Sequence, residues 1–183
     1  MTSIAAGVVK FQKETYPHHR ELFEKLATGQ APEVMFITCA DSRIDPAMIT
    51  TTQPGDLFVL RNAGNIVPPH GDHASGMGAS IEFAIKALGV THVVVCGHTQ
   101  CGAMKGATDL AGLDSLPQVQ KWLAHAQDAV KTVAEKAGDA DESERMAMLL
   151  RENVLLQLEH LKSHPAVSDG LESGKLKKSD VEN

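Results

Sequence analysis

The sequence predicts an α/β fold, a mostly parallel central β-sheet flanked by helices. Three observations predict it. Thr91-His92-Val93-Val94-Val95-Cys96 is a dense β-branched run, which reads as a strand buried on both faces, as in a parallel sheet. Glu33-Val34-Met35-Phe36-Ile37-Thr38-Cys39 is a second such run. Between them, Met77, Ile81, Ala84, Ile85 and Leu88 recur at helical spacing, and Gly89 follows as a C-cap. Strand, helix and strand of these lengths make a right-handed crossover unit.

Length and composition narrow the class of protein. A chain of 183 residues suffices for one domain with a substantial core. A net charge of −6 argues against nucleic acid or an anionic membrane as the main partner. No apolar window has the length of a membrane span, and residues 4–9 lack the length and basic flank of a signal peptide. Three cysteines fit a reducing compartment better than a disulfide framework, so a cytoplasmic location is expected.

In chain order, residues 4–27 read as one helix broken near Tyr16-Pro17 or as two short ones, either packed or laid as an arm on a partner subunit. After the first strand, Asp45 caps a short helix with Pro46 at its first position. Pro54-Gly55 turns the chain into a buried strand over 56–62. The Gly-, Pro- and His-rich loop 63–75 is expected to leave His70 and His73 solvated. Gly97 ends the strand that follows the crossover helix, and the small residues from Gly102 to Ala107 turn into a helix. Val119, Trp122, Leu123, Ala126, Val130 and Val133 form one helical stripe; Met146, Leu150, Val154, Leu158 and Leu161 form a second. His125, His160 and His164 have no acidic or thiol neighbour at useful spacing and read as surface or capping residues. From Gly170 the chain is polar and lysine-rich.

The chemistry gathers at two strand ends. Cys39 closes one strand, and His98 and Cys101 follow the other with turn-like spacing. Active sites of open α/β sheets lie at the carboxyl ends of parallel strands. A Cys2His set is the composition of catalytic zinc sites that keep a fourth position open. Two thiolates cancel the Zn²⁺ charge and His98 adds a neutral donor; such a site still lowers the pKa of bound water towards neutrality. Asp41, two residues from Cys39, is placed to accept that water's proton and orient it. Arg43 is placed to hold Asp41 ionised and off the metal by a bidentate ion pair.

Cys39-Ala40-Asp41-Ser42-Arg43 with His98-Thr99-Gln100-Cys101-Gly102 resembles the β-class carbonic anhydrases. So do the stretch from Pro54 to Asn65 and Glu152-Asn153-Val154 with Gln157-Leu158; the resemblance runs from about residue 8 to 176. It implies zinc on Cys39, His98 and Cys101, Asp41 and Arg43 as the orienting dyad, and substrate binding by Gln53 and Gly102. Gln53 matches the glutamine that hydrogen-bonds bicarbonate in the plant-like, open-site subgroup. Family members with a non-catalytic bicarbonate site carry a Trp where this chain has Phe36, and tend to be acidic where it has Gln53. Arg61 matches the arginine of that site, but an arginine alone does not make it. The implied organisation is one zinc-dependent domain, 1–183, with a helical arm (1–30), a zinc-site core (31–110), helices (111–165) and a short polar tail (166–183). A homodimer or higher homo-oligomer is implied as well.

The expected activity is reversible hydration of carbon dioxide to bicarbonate. Hydrolysis of carbonyl sulfide or carbon disulfide uses similar chemistry, and the ligands do not separate the two. An inactive structural zinc module would want a fourth protein ligand; Cys96 does not supply it, because it precedes Gly97 within the strand and reads as core, and no other Cys or His stands nearby in sequence. A thiol-redox pair of Cys39 and Cys101 is the most distant reading. One departure from the family pattern stands out. After a Gly-x-Leu like Gly174-Lys175-Leu176 the family continues into a strand and a hairpin, whereas only residues 177–183 follow here. The strand Val93 to Cys96 is therefore expected to lack a neighbour on one side, with residues 171–176 a poor substitute.

Overall fold

The computed structural model describes residues 2–177. Its chain divides into two compact units, residues 1–31 and residues 32–183. The first unit is helical. Helix α1 (Thr2–Lys10) runs on through Phe11–Thr15 into Tyr16–His18, and α2 (Arg20–Ala27) follows. The break, expected near Tyr16-Pro17, falls at His19, whose φ of −115° and ψ of 16° leave the helical region. Tyr16 stacks on Phe23 with ring centroids 5.6 Å apart, and Phe11 meets both rings edge-on.

The second unit is built on three parallel strands, β1 (Val34–Cys39), β2 (Leu57–Asn62) and β3 (His92–Cys96), in the order β2-β1-β3. Its helices are α3 (Pro46–Thr50), α4 (Gly76–Glu82, continued by a turn through Ala87), α5 (Gly102–Ala107), α6 (Pro117–Leu123), α7 (Gln127–Lys136), α8 (Glu142–Lys162) and α9 (Pro165–Glu172). The central strand β1 is buried from Met35 to Cys39. β2, expected to be buried, is an edge strand with Val59 exposed; its apolar residues resemble those of β1, and only the pairing order separates them. The crossover ends at Gly89, whose φ of +72° favours glycine, and Val90 then leads into β3.

Two apolar clusters flank the sheet. One joins Met35, Ile37, Val67, Ile81, Ala84, Val95 and Leu161; the other joins Cys39, Ile66, Cys101, Met104, Leu123, Ala126 and Leu149. The buried face of α8 is Leu149, Asn153, Gln157 and Leu161, turned one residue from the expected apolar stripe. Asp141 and Glu144 close a capping box at its start.

The reading of residues 166–183 as a polar tail fails for its first part. Ala166, Val167 and Gly170 pack inward from α9, and Leu176 is buried after the turn at Gly174. His164, expected as a surface or capping residue, stands at the N-cap of α9 but is buried, with Nε2 3.0 Å from the Pro68 carbonyl, and burial pushes its pKa down. At the outer side of β3, Lys177 N–H donates to the Thr91 carbonyl at 2.9 Å. Among the described residues β3 pairs with β1 alone, so the expected open side of Val93 to Cys96 is present there; residues 178–183 lie outside the described residues.

Candidate metal centre

The parallel register places Cys39, the last residue of β1, beside Asn62, with Thr38, one step earlier, opposite Cys96, the last residue of β3. His98 and Cys101 lie just past β3, in the turn before α5. Gln100 takes a φ of +57° there, which bends the backbone so that His98 and Cys101 face one point. The ligand atoms of Cys39, His98 and Cys101 lie within 4.8 Å of one another, the single cluster of its kind among the described residues. The two sulfurs are 3.9 Å apart.

His98 shows what the cluster is for. Its Nδ1 is 2.8 Å from the Thr99 carbonyl, which can only accept, so Nδ1 carries the proton and Nε2 is left as a bare acceptor. That Nε2 is buried and has no hydrogen-bond partner. A buried acceptor with no donor is costly unless a cation meets it. Burial also pushes the Cys101 thiol up, as does the neighbouring Cys39, so a thiolate here needs a positive charge close by. The set fits Zn²⁺ with a free fourth position.

Asp41 stands at the rim. Its carboxylate accepts from Arg43 Nε at 2.9 Å, from Nη2 at 2.7 Å and from the Arg43 backbone N–H at 3.0 Å. These Arg43 hydrogen bonds hold the carboxyl well below the usual carboxylate range, and Arg43 is raised in return. Arg43 Nη2 also donates to the Gln100 carbonyl at 2.9 Å, tying the Cys39 loop to the His98 turn. Asp41 Oδ2 is 4.0 Å from His98 Nε2, near the cluster but outside it. Arg61, on β2, donates to the carbonyls of Cys39 and Asp41 at 3.1 and 2.7 Å, which fixes the loop between them.

The two substrate-binding residues expected from the sequence are less engaged. Gln53 is exposed in the turn before β2, where its backbone N–H donates to Asp56; among the described residues no hydrogen bond joins its side chain to the cluster. Gly102 begins α5 beside Cys101, exposed, with open space where a Cβ would stand. Gly64, Trp122 and Asn153 touch or support the Cys39 surroundings and carry no ligand chemistry of their own. Asn153 was visible only as part of the Glu152-Asn153-Val154 resemblance.

A family model described as "Carbonic anhydrase" matches residues 34–179. The carbonic anhydrase of Synechococcus elongatus is 49% identical over 177 residues, 96% of this chain and 65% of that protein. That of Pseudomonas aeruginosa is 47% identical over 176 residues, 96% of this chain and 80% of its own. The solved structure of the beta-carbonic anhydrase CcaA superposes with a TM-score of 0.92 at 42% identity, covering 96% of this chain and 79% of that one. The chain belongs to the β-class carbonic anhydrase family. It spans about two thirds of the Synechococcus relative's length. The Cys-His-Cys cluster is the kind of zinc site this β-class carbonic anhydrase fold carries, set at the carboxyl ends of β1 and β3. Among the described residues no helix is long and apolar enough to cross a membrane.

Proposed function

We propose that this chain catalyses the reversible hydration of carbon dioxide to bicarbonate and a proton, with zinc held by Cys39, His98 and Cys101. The observation that carries the proposal is His98 Nε2, buried and unpartnered, facing two thiol sulfurs beside an ion-paired aspartate. Zinc, when bound, supplies the Lewis acidity that makes water a nucleophile near neutral pH. The protein does the rest. Thr99 fixes the His98 tautomer. Arg43 keeps Asp41 ionised and aimed, so that Asp41 accepts a hydrogen bond from the reacting water and turns its lone pair towards carbon dioxide. Gln53 and Gly102 are the proposed contacts of the bicarbonate product.

The open-site subgroup is favoured by the same dyad. Asp41 is occupied by Arg43, and Arg61 is spent on the backbone carbonyls of Cys39 and Asp41. Phe36 is 5% exposed in β1, so the position where regulated relatives carry Trp is filled by packing.

Assembly as a homo-oligomer follows from what this chain leaves bare. Met48, Val59 and Phe83 are exposed, and β2 is an edge strand that a second copy of this chain would cover. Solved relatives from Sordaria macrospora, 32% identical with a TM-score of 0.75, are described as tetrameric.

The test is zinc content per chain together with initial rates on carbon dioxide and on carbonyl sulfide, with solution mass measured on the same sample. One zinc per chain, fast carbon dioxide hydration, slower carbonyl sulfide turnover and a mass of at least two chains are expected. Zinc-loaded protein that turns over carbonyl sulfide but not carbon dioxide would reverse the substrate assignment. A single-chain mass would remove the oligomer.

A further inference from the structure

The turn Asn62–Val67 lies against Cys39 and is held in an improbable shape. Gly64 has a φ of +82° and Asn65 one of +49°, two consecutive left-handed residues. A Cβ on Gly64 would stand 2.8 Å from Met104 Cε and 3.1 Å from Ala103 Cβ, so the backbone approaches α5 as closely as only glycine permits. The result of that approach is a hydrogen bond. Gly64 N–H donates to Cys39 Sγ at 3.4 Å, and it is the single N–H donor to that sulfur among the described residues.

Side chains from the helices hold the turn. Trp122 Nε1 donates to the Ala63 carbonyl at 2.8 Å, and Asn153 Nδ2 donates to the Gly64 carbonyl at 3.1 Å. Asn62 closes the turn from within, accepting from Ile66 N–H and donating to its carbonyl, both at 2.8 Å. The direction of the Asn153 amide is set by a chain of necessity. Val67 N–H can only donate, so Gln157 presents Oε1 to it at 2.8 Å. Gln157 Nε2 then donates to Asn153 Oδ1 at 2.9 Å, which leaves Asn153 Nδ2 for Gly64. Both amides are essentially fully buried on α8, so no water competes for them.

We propose that Asn153, oriented by Gln157, is a positioning residue for the metal centre: it fixes the Gly64 N–H on Cys39 Sγ and so limits how much charge that sulfur gives to zinc. The proposal rests on the reading of Cys39 as a zinc ligand. Hydrogen bonds to ligating atoms tune a metal as the ligands themselves do, and their loss costs 10–100-fold in affinity or activity in typical cases. A peptide N–H suits the task because it cannot titrate, and a strained turn suits it only if something holds the strain.

The test uses the full chain loaded with Co²⁺, read by the sulfur-to-cobalt charge-transfer absorption, and the zinc form read by competition with a chelator. In Asn153→Asp the side chain keeps its shape and its acceptor for Gln157 but loses the donor to Gly64. The charge-transfer band is expected to move to lower energy and zinc affinity to change by about 10-fold or more. Trp122→Phe, which frees only the Ala63 carbonyl, should move the band the same way by less, and it carries the test if Asn153→Asp does not fold. Leu161→Ala is the control, because it loosens the same helix within the other apolar cluster and removes no hydrogen bond to the turn. An unmoved band and unchanged zinc affinity in the folded variants would overturn the proposal, as would an equal shift in Leu161→Ala. If the parent protein itself gives no thiolate band with Co²⁺, the ligand assignment fails instead.

Discussion

His98→Ala is expected to lose zinc and, with it, all measurable carbon dioxide hydration, while the purified protein keeps its helical content. The ligand sits in a turn after β3 and not in the strand, so the sheet does not depend on it. Removing the imidazole leaves two sulfurs 3.9 Å apart, a pair with one donor too few for a tight zinc site. Cys39→Ser and Cys101→Ser should behave alike, since a hydroxyl does not ionise to replace a thiolate. The metal-free parent carries an additional signature. The Cys101 thiol is pushed up by burial, so in the metal-free protein it should resist alkylating reagents near neutral pH. Metal analysis on each variant decides the matter: a full zinc complement in any one of them removes that residue from the ligand set.

Asp41→Asn separates orientation from binding. Zinc should remain at one per chain, because Asp41 lies outside the three-residue cluster. Hydration should fall on the order of 10²–10³, the usual cost of one preorganised polar partner at a reacting centre. The amide is nearly isosteric, but it trades an acceptor for a donor on the atom that faces the reacting water. It also loses the charge that the Arg43 hydrogen bonds hold in place. Arg43→Ala should reproduce much of the loss, because it releases both Asp41 and the Gln100 carbonyl. Stopped-flow hydration with zinc content measured on the same sample is the check. Turnover in Asp41→Asn equal to that of the parent would refute the orienting role.

How much of this was legible in the sequence depended on the kind of signal. β1, β3 and the crossover helix announced themselves through β-branched runs, helical spacing and Gly89, all local patterns. The cysteines and histidine stood out because their chemistry is rare at strand ends. What failed was whatever pairing and packing decide at a distance. β2 and β1 have similar apolar runs, and nothing within either run says which will lie in the middle. Asn153 and Gln157 were passed over when the stripe of α8 was read by hydrophobicity, since burial of an amide is allowed only by partners in another segment, here Gly64 and Val67. His164 misled for the same reason, its partner being the Pro68 carbonyl 96 residues away in sequence. α9 was missed because Ala166 and Gly170 fill their contacts by being small, which no apolar count records.

The turn beside Cys39 has a consequence for how the protein opens. A connection between a strand and a helix normally exchanges its amide hydrogens with solvent almost freely, because its N–H groups point at water. Here the N–H groups of Gly64, Ile66 and Val67 are bound by the Cys39 sulfur, the half-buried Asn62 amide oxygen and the buried Gln157 amide oxygen. The Val67 N–H cannot meet solvent unless α8, which carries Gln157, first lifts away. Their exchange should therefore run as slowly as that of β1, and far slower than that of Gly71 or His73 a few residues on, both exposed. Exchange measured by mass spectrometry on the zinc-loaded protein would reveal the boundary between His70, whose N–H donates to Ser163 Oγ at 2.8 Å, and His73 as a sharp step. The turn and the long helix then open as one event.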